Sequence, residues 1–573
     1  MVLAPTGVAA INAGGTTIHS FFQLPFSPFI PVADHGSLPP PDAAETPADT
    51  HNAYSLIRRV RFNKDKRELL QSLELLIIDE ISMVRADVLD AIDTLLRYFR
   101  YKPQLPFGGV QMLFIGDMFQ LPPVVPNTDW EILHHYYASP FFFDSHAIKQ
   151  DEPRNIELTK IYRQTDQQFI DALNQVRNNQ MDEAGYNLLH SRYKPDFLPQ
   201  KNQGYVTLCS HNAAADAINE DALAKLRGAA HTYNAEITGE FSEKSFPAEP
   251  RLQLKEGAQV MFIKNDLEKP RRFFNGKIGT ITELTPDAVT VSCEGETASI
   301  TIGQEEWTNV QYTLNRQQQR IEEKELGSFK QMPLRLAWAI TIHKSQGLTF
   351  EKAVIDAGKA FAPGQVYVAL SRCTSLQGLV LRTAIPASAI FTDPRIVAFG
   401  ERTHASPQLE HQLLPAQITY QMELLALCFD GSSLIKAAQK LPAIISTYAA
   451  GFNAEALPWT EQMLEQCQVL ADTGIKFTQQ LAQLAQPNQL PQQNAAIQDR
   501  LPKAAAWFSP RLSGITDAIK KQPAVTDSKD QAQAYEEVLA DLYKAAHQWL
   551  QLITACSQGF DAEQLLKARS KVQ

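Results

Sequence analysis

Residues 73–84, reading LELLIIDEISMV, constrain the fold more than any other stretch of the chain. Leu75, Leu76, Ile77 and Ile78 form an unbroken apolar run. Such a run suits a parallel strand buried on both faces better than an amphipathic helix or an edge strand. Asp79 and Glu80 close it. Charges are costly inside a core, so the two acids should emerge at the strand's carboxyl end, where open α/β sheets bind ligands. In a nucleoside triphosphate site the first acid would hold Mg²⁺, directly or through water, and the second would orient or deprotonate the attacking water. Taken alone, the run reads equally well as a strand followed by a solvated or capping acid pair.

The 573 residues are too many for one core, and at roughly 150 residues per domain they suggest about three or four domains. An apolar fraction of 44% and a charged fraction of 20% are ordinary for a soluble globular protein. A net charge of -10 argues against coating nucleic acid by bulk charge, although a local basic groove is compatible with it. The six cysteines, at 209, 293, 373, 428, 467 and 556, include no C-x-x-C pair, so neither a zinc site nor a disulfide framework is indicated. No secretory leader and no run of about 18 apolar residues is seen, so a cytoplasmic protein with no membrane contact is expected.

Met1 to Pro5 reads as the tail of a short strand, and Thr6-Gly7 leads into a helix-like VAAINA. A helix N-terminus after a strand favours an anion, because unpaired backbone N–H groups and the helix dipole both attract one. Residues 14–20, GGTTIHS, form a second polar turn whose donors suit a phosphodiester backbone. Ordinary capping turns would look the same. Residues 24–49 are crowded with proline and small residues and read as a surface loop or small excursion. Arg58, Arg59, Arg61, Lys64, Lys66 and Arg67 follow, for which a solvated helix face is favoured over DNA contact.

Residues 86–101 carry apolar side chains at helical spacing and imply a crossover helix. The next strand, 110–115, ends in Gly116-Asp117-Met118-Phe119-Gln120, where Gln120 could sense a terminal phosphate. Residues 157–177 suggest a strand end, then Tyr162-Arg163-Gln164, then a helix, and 206–219 begin another strand and helix. Residues 254–282 read as short strands beside a basic-aromatic string of Lys269, Arg271, Arg272, Phe273 and Phe274. That string suits a hairpin touching nucleic acid or, as readily, an exposed hairpin with solubilising charges. The apolar strand before His343 releases His343, Lys344, Ser345 and Gln346, donors that grip phosphates without reading bases. A helix over 365–372 would leave Arg372 free at its end, either as a dipole partner or reaching a γ-phosphate. Beyond about residue 400, glutamine, alanine and leucine dominate in helical runs whose apolar stripes read as their own core.

LAPTGVAA, TTIHSFF, LLIIDEISM, FIGDMFQLPPV, YRQTDQQF, AITIHKSQGLTF and VYVALSRC, in that order over residues 1–385, closely resemble the PIF (petite integration frequency) helicases of the RecD-like branch of superfamily 1. The resemblance implies an α/β fold of two RecA-like P-loop NTPase domains with ATP between them and single-stranded DNA across their top. It also implies 5′ to 3′ movement, with DNA forks as partners and roles in replication, repair, recombination or telomere-like maintenance. By it, Asp79 and Glu80 serve Mg²⁺ and water, Gln120 couples phosphate to DNA, and Arg163 and Arg372 are arginine fingers. Pro5, Thr6, Thr17, His19, His343, Lys344 and Ser345 would line the DNA track. The expected domains are 1–150 (with 24–60 a small insertion), 151–250 with 331–400, a β-barrel insertion at 251–330, and an all-α appendage at 401–573. The resemblance also implies a bacterial-type, nucleoid-associated site of action.

One departure matters. No G-x-x-x-x-G-K-[ST] occurs in the 573 residues: Gly276-Lys277 precedes Ile278, and Gly358-Lys359 precedes Ala360. The expectation is therefore a first sheet lacking its phosphate-loop strand, as in a chain that starts late, and a catalytically incomplete helicase. A non-catalytic protein that binds single-stranded nucleic acid is the alternative. An ATPase acting on protein or RNA shares the acid strand but accounts less readily for HKSQG.

Overall fold

The structure, a computed structural model, describes residues 1–31, 50–200, 203–241, 243, 246–266, 271–315, 320–356, 363–404, 409–448 and 451–572. Most of the 24–49 loop, Lys269 and Gly358-Lys359 therefore lie outside the described residues. The chain divides into two compact units, Met1–His404 and Ala405–Gln573.

The first unit contains two parallel sheets. In one, Val2–Ala4 lies between Thr16–Thr17 and Leu75–Ile78, and Gln111–Phe114 forms the far edge. Leu3, Leu76 and Ile78 point to one face and are fully buried with Leu89, Ile92, Leu95 and Leu96 of the helix Ala86–Phe99. The opposite face is not covered in the same way: Leu75 is 40% exposed, Leu113 44% and Ile115 47%. The expectation that the 75–78 run is buried on both faces is therefore corrected. Its apolar character is real, but the face that carries Leu75, Leu113 and Ile115 is partly open. The helix Ala86–Phe99 also buries Asp87, Asp90 and Asp93, spaced three residues apart. Asp90 accepts from the Tyr137 hydroxyl (2.9 Å) and from the N–H groups of His146 and Ala147 (both 3.0 Å), so the buried charge is hydrogen-bonded and anchors a distant loop.

The second sheet runs in the order Ala339–Thr341, Val206–Cys209, Ala353–Asp356, Leu379–Leu381, all parallel. Its strands are buried nearly throughout. The expected strand end at 157 is absent: residues 152–162 form no strand, and Ile156 and Leu158 are exposed.

Between the strands of this sheet the chain builds antiparallel β-structure. A five-stranded sheet (Ile300–Ile302, Val289–Ser292, Ile278–Leu284, Gln259–Phe262, Leu334–Leu336) joins a three-stranded sheet of Glu305–Asn315, Arg320–Gln331 and Glu236–Gly239 and a pair, His231–Asn234 with Arg251–Leu254. This β-region thus starts near 231 and ends near 336, wider than the 251–330 expected from turn signals. The reason is that strands Glu236–Gly239 and Leu334–Leu336 pair with partners far along the chain.

The second unit is all helical: Leu409–Cys428, Ser432–Thr447, Ala456–Leu484, Ala495–Lys520, Lys529–Ala555 and Ala562–Val572. Phe429, Leu441, Phe508, Leu512, Leu542 and Trp549 sit in its core, and the Trp549 indole donates to the Cys428 carbonyl at 2.9 Å. Among the described residues, no helix is long and apolar enough to cross a membrane.

Candidate active site

At the end of strand Leu75–Ile78 the Asp79 N–H donates to the Leu3 carbonyl (2.8 Å), and the chain then turns sharply at Glu80, with φ 53° and ψ 45°. Residues with a Cβ rarely adopt this left-handed conformation, because the Cβ crowds the following carbonyl. The turn is held by Glu80 N–H to Asp79 Oδ1 (3.0 Å) and Ile81 N–H to the Ile115 carbonyl (2.9 Å). Gly116 permits the second contact, since a Cβ there would lie 3.0 Å from the Ile81 nitrogen. Backbone strain of this kind collects at functional positions, and here it aims an acid out of the sheet.

Glu80 reaches the other α/β sheet, where its Oε2 accepts from the Gln346 amide at 2.8 Å. Burial first, and the neighbouring Asp79 charge second, push the Glu80 carboxyl above the ordinary range, opposed by the Gln346 hydrogen bond and the Arg372 charge. Arg372 is 2% exposed. Its Nε donates to the Val368 carbonyl (3.1 Å), Nη1 to the Leu348 carbonyl (3.4 Å) and Nη2 to the Ser371 hydroxyl (3.3 Å). The expectation of an arginine free at the helix end is corrected: the guanidinium folds back onto its own helix, Gln365–Ser371, and the loop before it. Burial, then the nearby Arg163, lowers its pKa to about 10, against the pull of Glu80. Arg163 donates to the Ser371 carbonyl at 3.3 Å, and Gln164 to the carbonyls of Ser371 and Cys373 at 3.0 and 2.9 Å. Two guanidiniums thus share one site, donating to neutral carbonyls and the Ser371 hydroxyl, an arrangement that an added anion would stabilise.

Gln120 donates to Asp117 Oδ2 at 3.2 Å, and Arg177 lies over the Phe119 ring at 4.1 Å. The Cβ that Gly364 lacks would sit 2.3 Å from the Gln120 carbonyl, so the loop ending the first sheet abuts the start of helix Gln365–Ser371. Tyr367 on that helix is pushed up to about 12, chiefly by burial and then by Asp117. Asp79, Glu80, Gln120, Arg163 and Arg372 are therefore assembled from two sheets. Among the described residues no cluster of three or more His, Cys, Asp or Glu could hold a metal ion by itself.

The expected DNA-track residues fare unequally. Thr6 Oγ1 accepts from Ala9 N–H (3.2 Å) and Thr17 Oγ1 from Ser20 N–H (3.3 Å), each capping a short helix. Pro5 and Thr6 are half-buried beside helix Gly7–Asn12, whose Asn12 accepts from Asn275 at 3.0 Å and approaches Gly347. His343 is half-buried, with burial lowering its pKa, and Lys344 is exposed. Ser345 is buried, and its hydroxyl donates to the Ile342 carbonyl at 2.7 Å, so its place on a surface track is corrected. In the basic-aromatic string Phe273 is a core residue, 2% exposed, and Arg272 is paired with Asp266 at 2.7 Å. Phe274 is 53% exposed and Arg271 is also exposed, so the structural roles fall to Phe273 and Arg272.

A family model described as "PIF1-like helicase" matches residues 42–186, and one described as "DNA helicase, middle domain" matches residues 412–573. Human ATP-dependent DNA helicase PIF1 is 35% identical over 405 residues, covering 69% of this chain and 56% of the human protein. The solved structure of Bacteroides sp Pif1 with ADP-AlF4 is 40% identical over 71% of this chain and 87% of that one, with a TM-score of 0.62. The chain belongs to the PIF1-like helicases. Bacteroides Pif1 with ADP-AlF3 and single-stranded DNA also matches, at 40% identity over 71% of this chain and 87% of that one, with a TM-score of 0.50. The chain spans just over half the length of the human relative.

Within this PIF1-like frame, sequence reasoning left Asp117, Tyr367 and Arg177 without assigned roles, and it read Gln346 as a phosphate-gripping donor rather than a partner of Glu80. Gln346 had a signal, its place after His343-Lys344-Ser345. Arg177 and Tyr367 sit on helices with no local mark of function.

Proposed function

We propose that residues 1–404 act as the motor of an ATP-dependent DNA helicase that moves 5′ to 3′ on single-stranded DNA. In this reading the protein works at forks in replication, repair, recombination or telomere-like maintenance, in the nucleoid of a bacterial-type cytoplasm. The carrying observation is the convergence of the Asp79–Glu80 pair with Gln346, Arg163 and Arg372 from the opposite sheet. The PIF1-like relatives support it, as do the nucleotide analogues and single-stranded DNA named for the Bacteroides structures.

The residues fit a magnesium nucleotide: Asp79 would hold Mg²⁺, with phosphates and waters as the remaining ligands, because the site offers too few carboxylates for an all-protein cage. Bound there, the metal nucleotide would supply a polarised terminal phosphate. Glu80, whose pKa is raised, would take a proton from water. Arg163 and Arg372 would balance charge on the phosphoryl oxygens, and Gln120 would couple that phosphate to the DNA side. Pro5, Thr6, Thr17, His19, His343 and Lys344 would contact the DNA backbone. The unpaired edge of strand Gln111–Phe114 is where a further parallel strand could deliver a glycine-rich loop beside the acids.

A second reading, a non-catalytic binder of single-stranded nucleic acid, is favoured by the absence of G-x-x-x-x-G-K-[ST] from the 573 residues. ATP hydrolysis with and without single-stranded DNA, beside Glu80→Gln, separates the two. DNA-stimulated turnover abolished by Glu80→Gln supports the motor. Salt-dependent DNA binding without turnover supports the binder, and neither activity sinks both readings.

A further inference from the structure

The segment Leu24-Pro25-Phe26-Ser27-Pro28-Phe29-Ile30 leaves helix Ile18–Phe22 through Gln23, at φ 53°, and turns back over it. The Leu24 N–H donates to the His19 carbonyl at 3.0 Å, a helix-ending bond that returns the chain over its last turn. The segment is then tied down at several points. Phe29 N–H donates to Asp87 Oδ2 (3.1 Å), Ile30 N–H to the His51 carbonyl (2.6 Å) and His51 N–H to the Pro28 carbonyl (2.9 Å). Leu24, Phe29 and Ile30 are buried, and Pro25 and Pro28 stiffen the backbone on either side.

Within this anchored segment Phe26 is 69% exposed. Its ring stacks on His19, with centroids 4.9 Å apart and planes 14° from parallel. Burial, and then the Arg85 charge, lowers the His19 pKa, which favours the uncharged imidazole in the stack. The chain that hydrogen-bonds this segment at His51 continues into helix Ala53–Arg59, whose Arg58 and Arg59 are exposed. Neither is paired with a carboxylate among the described residues; Arg58 donates to the Tyr54 hydroxyl, and Arg59 lies 3.5 Å from the His51 ring.

An exposed aromatic ring on a fixed loop, with exposed arginines on the adjoining helix, is the chemistry that holds single strands. Every base has a π-face that can stack, and guanidiniums take the phosphates. We propose that the Phe26 ring, backed by His19, is a stacking platform for one base of a single-stranded nucleic acid. This rests on the reading of His19 as part of the DNA track and adds a base contact to a track otherwise made of backbone contacts.

The test uses the full chain and a fluorescently labelled mixed-sequence DNA oligonucleotide, read by anisotropy. Phe26→Ala is expected to weaken binding about tenfold, the order of one lost base stack, while Phe26→Trp stays within about twofold of the unaltered chain. The thermal midpoint should not move in either variant, because the side chain is largely in solvent. Unchanged binding by Phe26→Ala, or equal losses in Ala and Trp, overturns the platform and leaves the DNA-track reading standing. No DNA binding by the unaltered chain overturns both.

Discussion

The two four-stranded parallel sheets of residues 1–404 have the same strand count and are covered differently. Strands Val206–Cys209, Ala339–Thr341 and Leu379–Leu381 are buried at every position, whereas Leu75–Ile78 and Gln111–Phe114 alternate between covered and open faces. Parallel sheets are ordinarily buried on both faces, because their crossovers place helices on each side. The second sheet follows that rule. The first does not, yet it carries the acids, so its polar end is held by hydrogen bonds such as Ile81 to Ile115 and Glu80 to Gln346 rather than by two-sided packing. Burial in the second sheet gives stability, and the left-handed turn in the first aims Glu80 out of the sheet.

The sharpest way to break this comparison is truncation on each side. Leu379→Ala, at a fully buried position, should cost about 2–5 kcal/mol in denaturant unfolding, and Leu113→Ala, at 44% exposure, less than about 1 kcal/mol. Equal costs would mean that the open face is covered in solution.

Lys66 tests the covered side of the first sheet. It is buried, its ammonium lies 3.2 Å from the Phe21 ring centroid, and burial lowers its pKa to about 7. Between pH 7 and the unfolded value near 10.5 the unfolded chain binds the extra proton, so stability should rise with pH across that window. Lys66→Met should therefore stabilise the protein at pH 7, with the gain fading towards pH 10.5. Thermal melts at a series of pH values check the sign, and a gain independent of pH would show that the amine is not buried.

Two smaller effects sharpen the contrast. Amide hydrogens of Gln111–Phe114 should exchange faster than those of Val206–Cys209, since an unpaired edge opens locally at lower cost. Gln346→Ala removes the hydrogen bond that holds down the Glu80 pKa, so the acidic limb of any DNA-stimulated hydrolysis should move to higher pH. An unmoved limb would mean that another group sets it.

Parts of this were legible in the residues. The acids after LLII had to leave the sheet at its carboxyl end, and they do, because an apolar run cannot keep two charges inside. Gln120 sits at the corresponding end of the neighbouring strand for the same reason. The helical runs beyond residue 400 also form helices around their own core, as their apolar spacing indicates. Arg372 was misread because helix position alone does not say whether a side chain points outward or folds back. The limits of the β-region were missed because strand Glu236–Gly239 takes a partner some 90 residues away.

The sequence by itself determined the kind and order of the elements and the chemistry at their ends, since periodicity and the cost of buried charge act over a few residues. Only the tertiary structure decided that Glu80 meets Gln346, that Arg163 and Arg372 share a site, that Ser345 turns inward and that one face of the first sheet stays open. Those outcomes depend on strand order and register, which bring together side chains hundreds of positions apart and which no local pattern encodes.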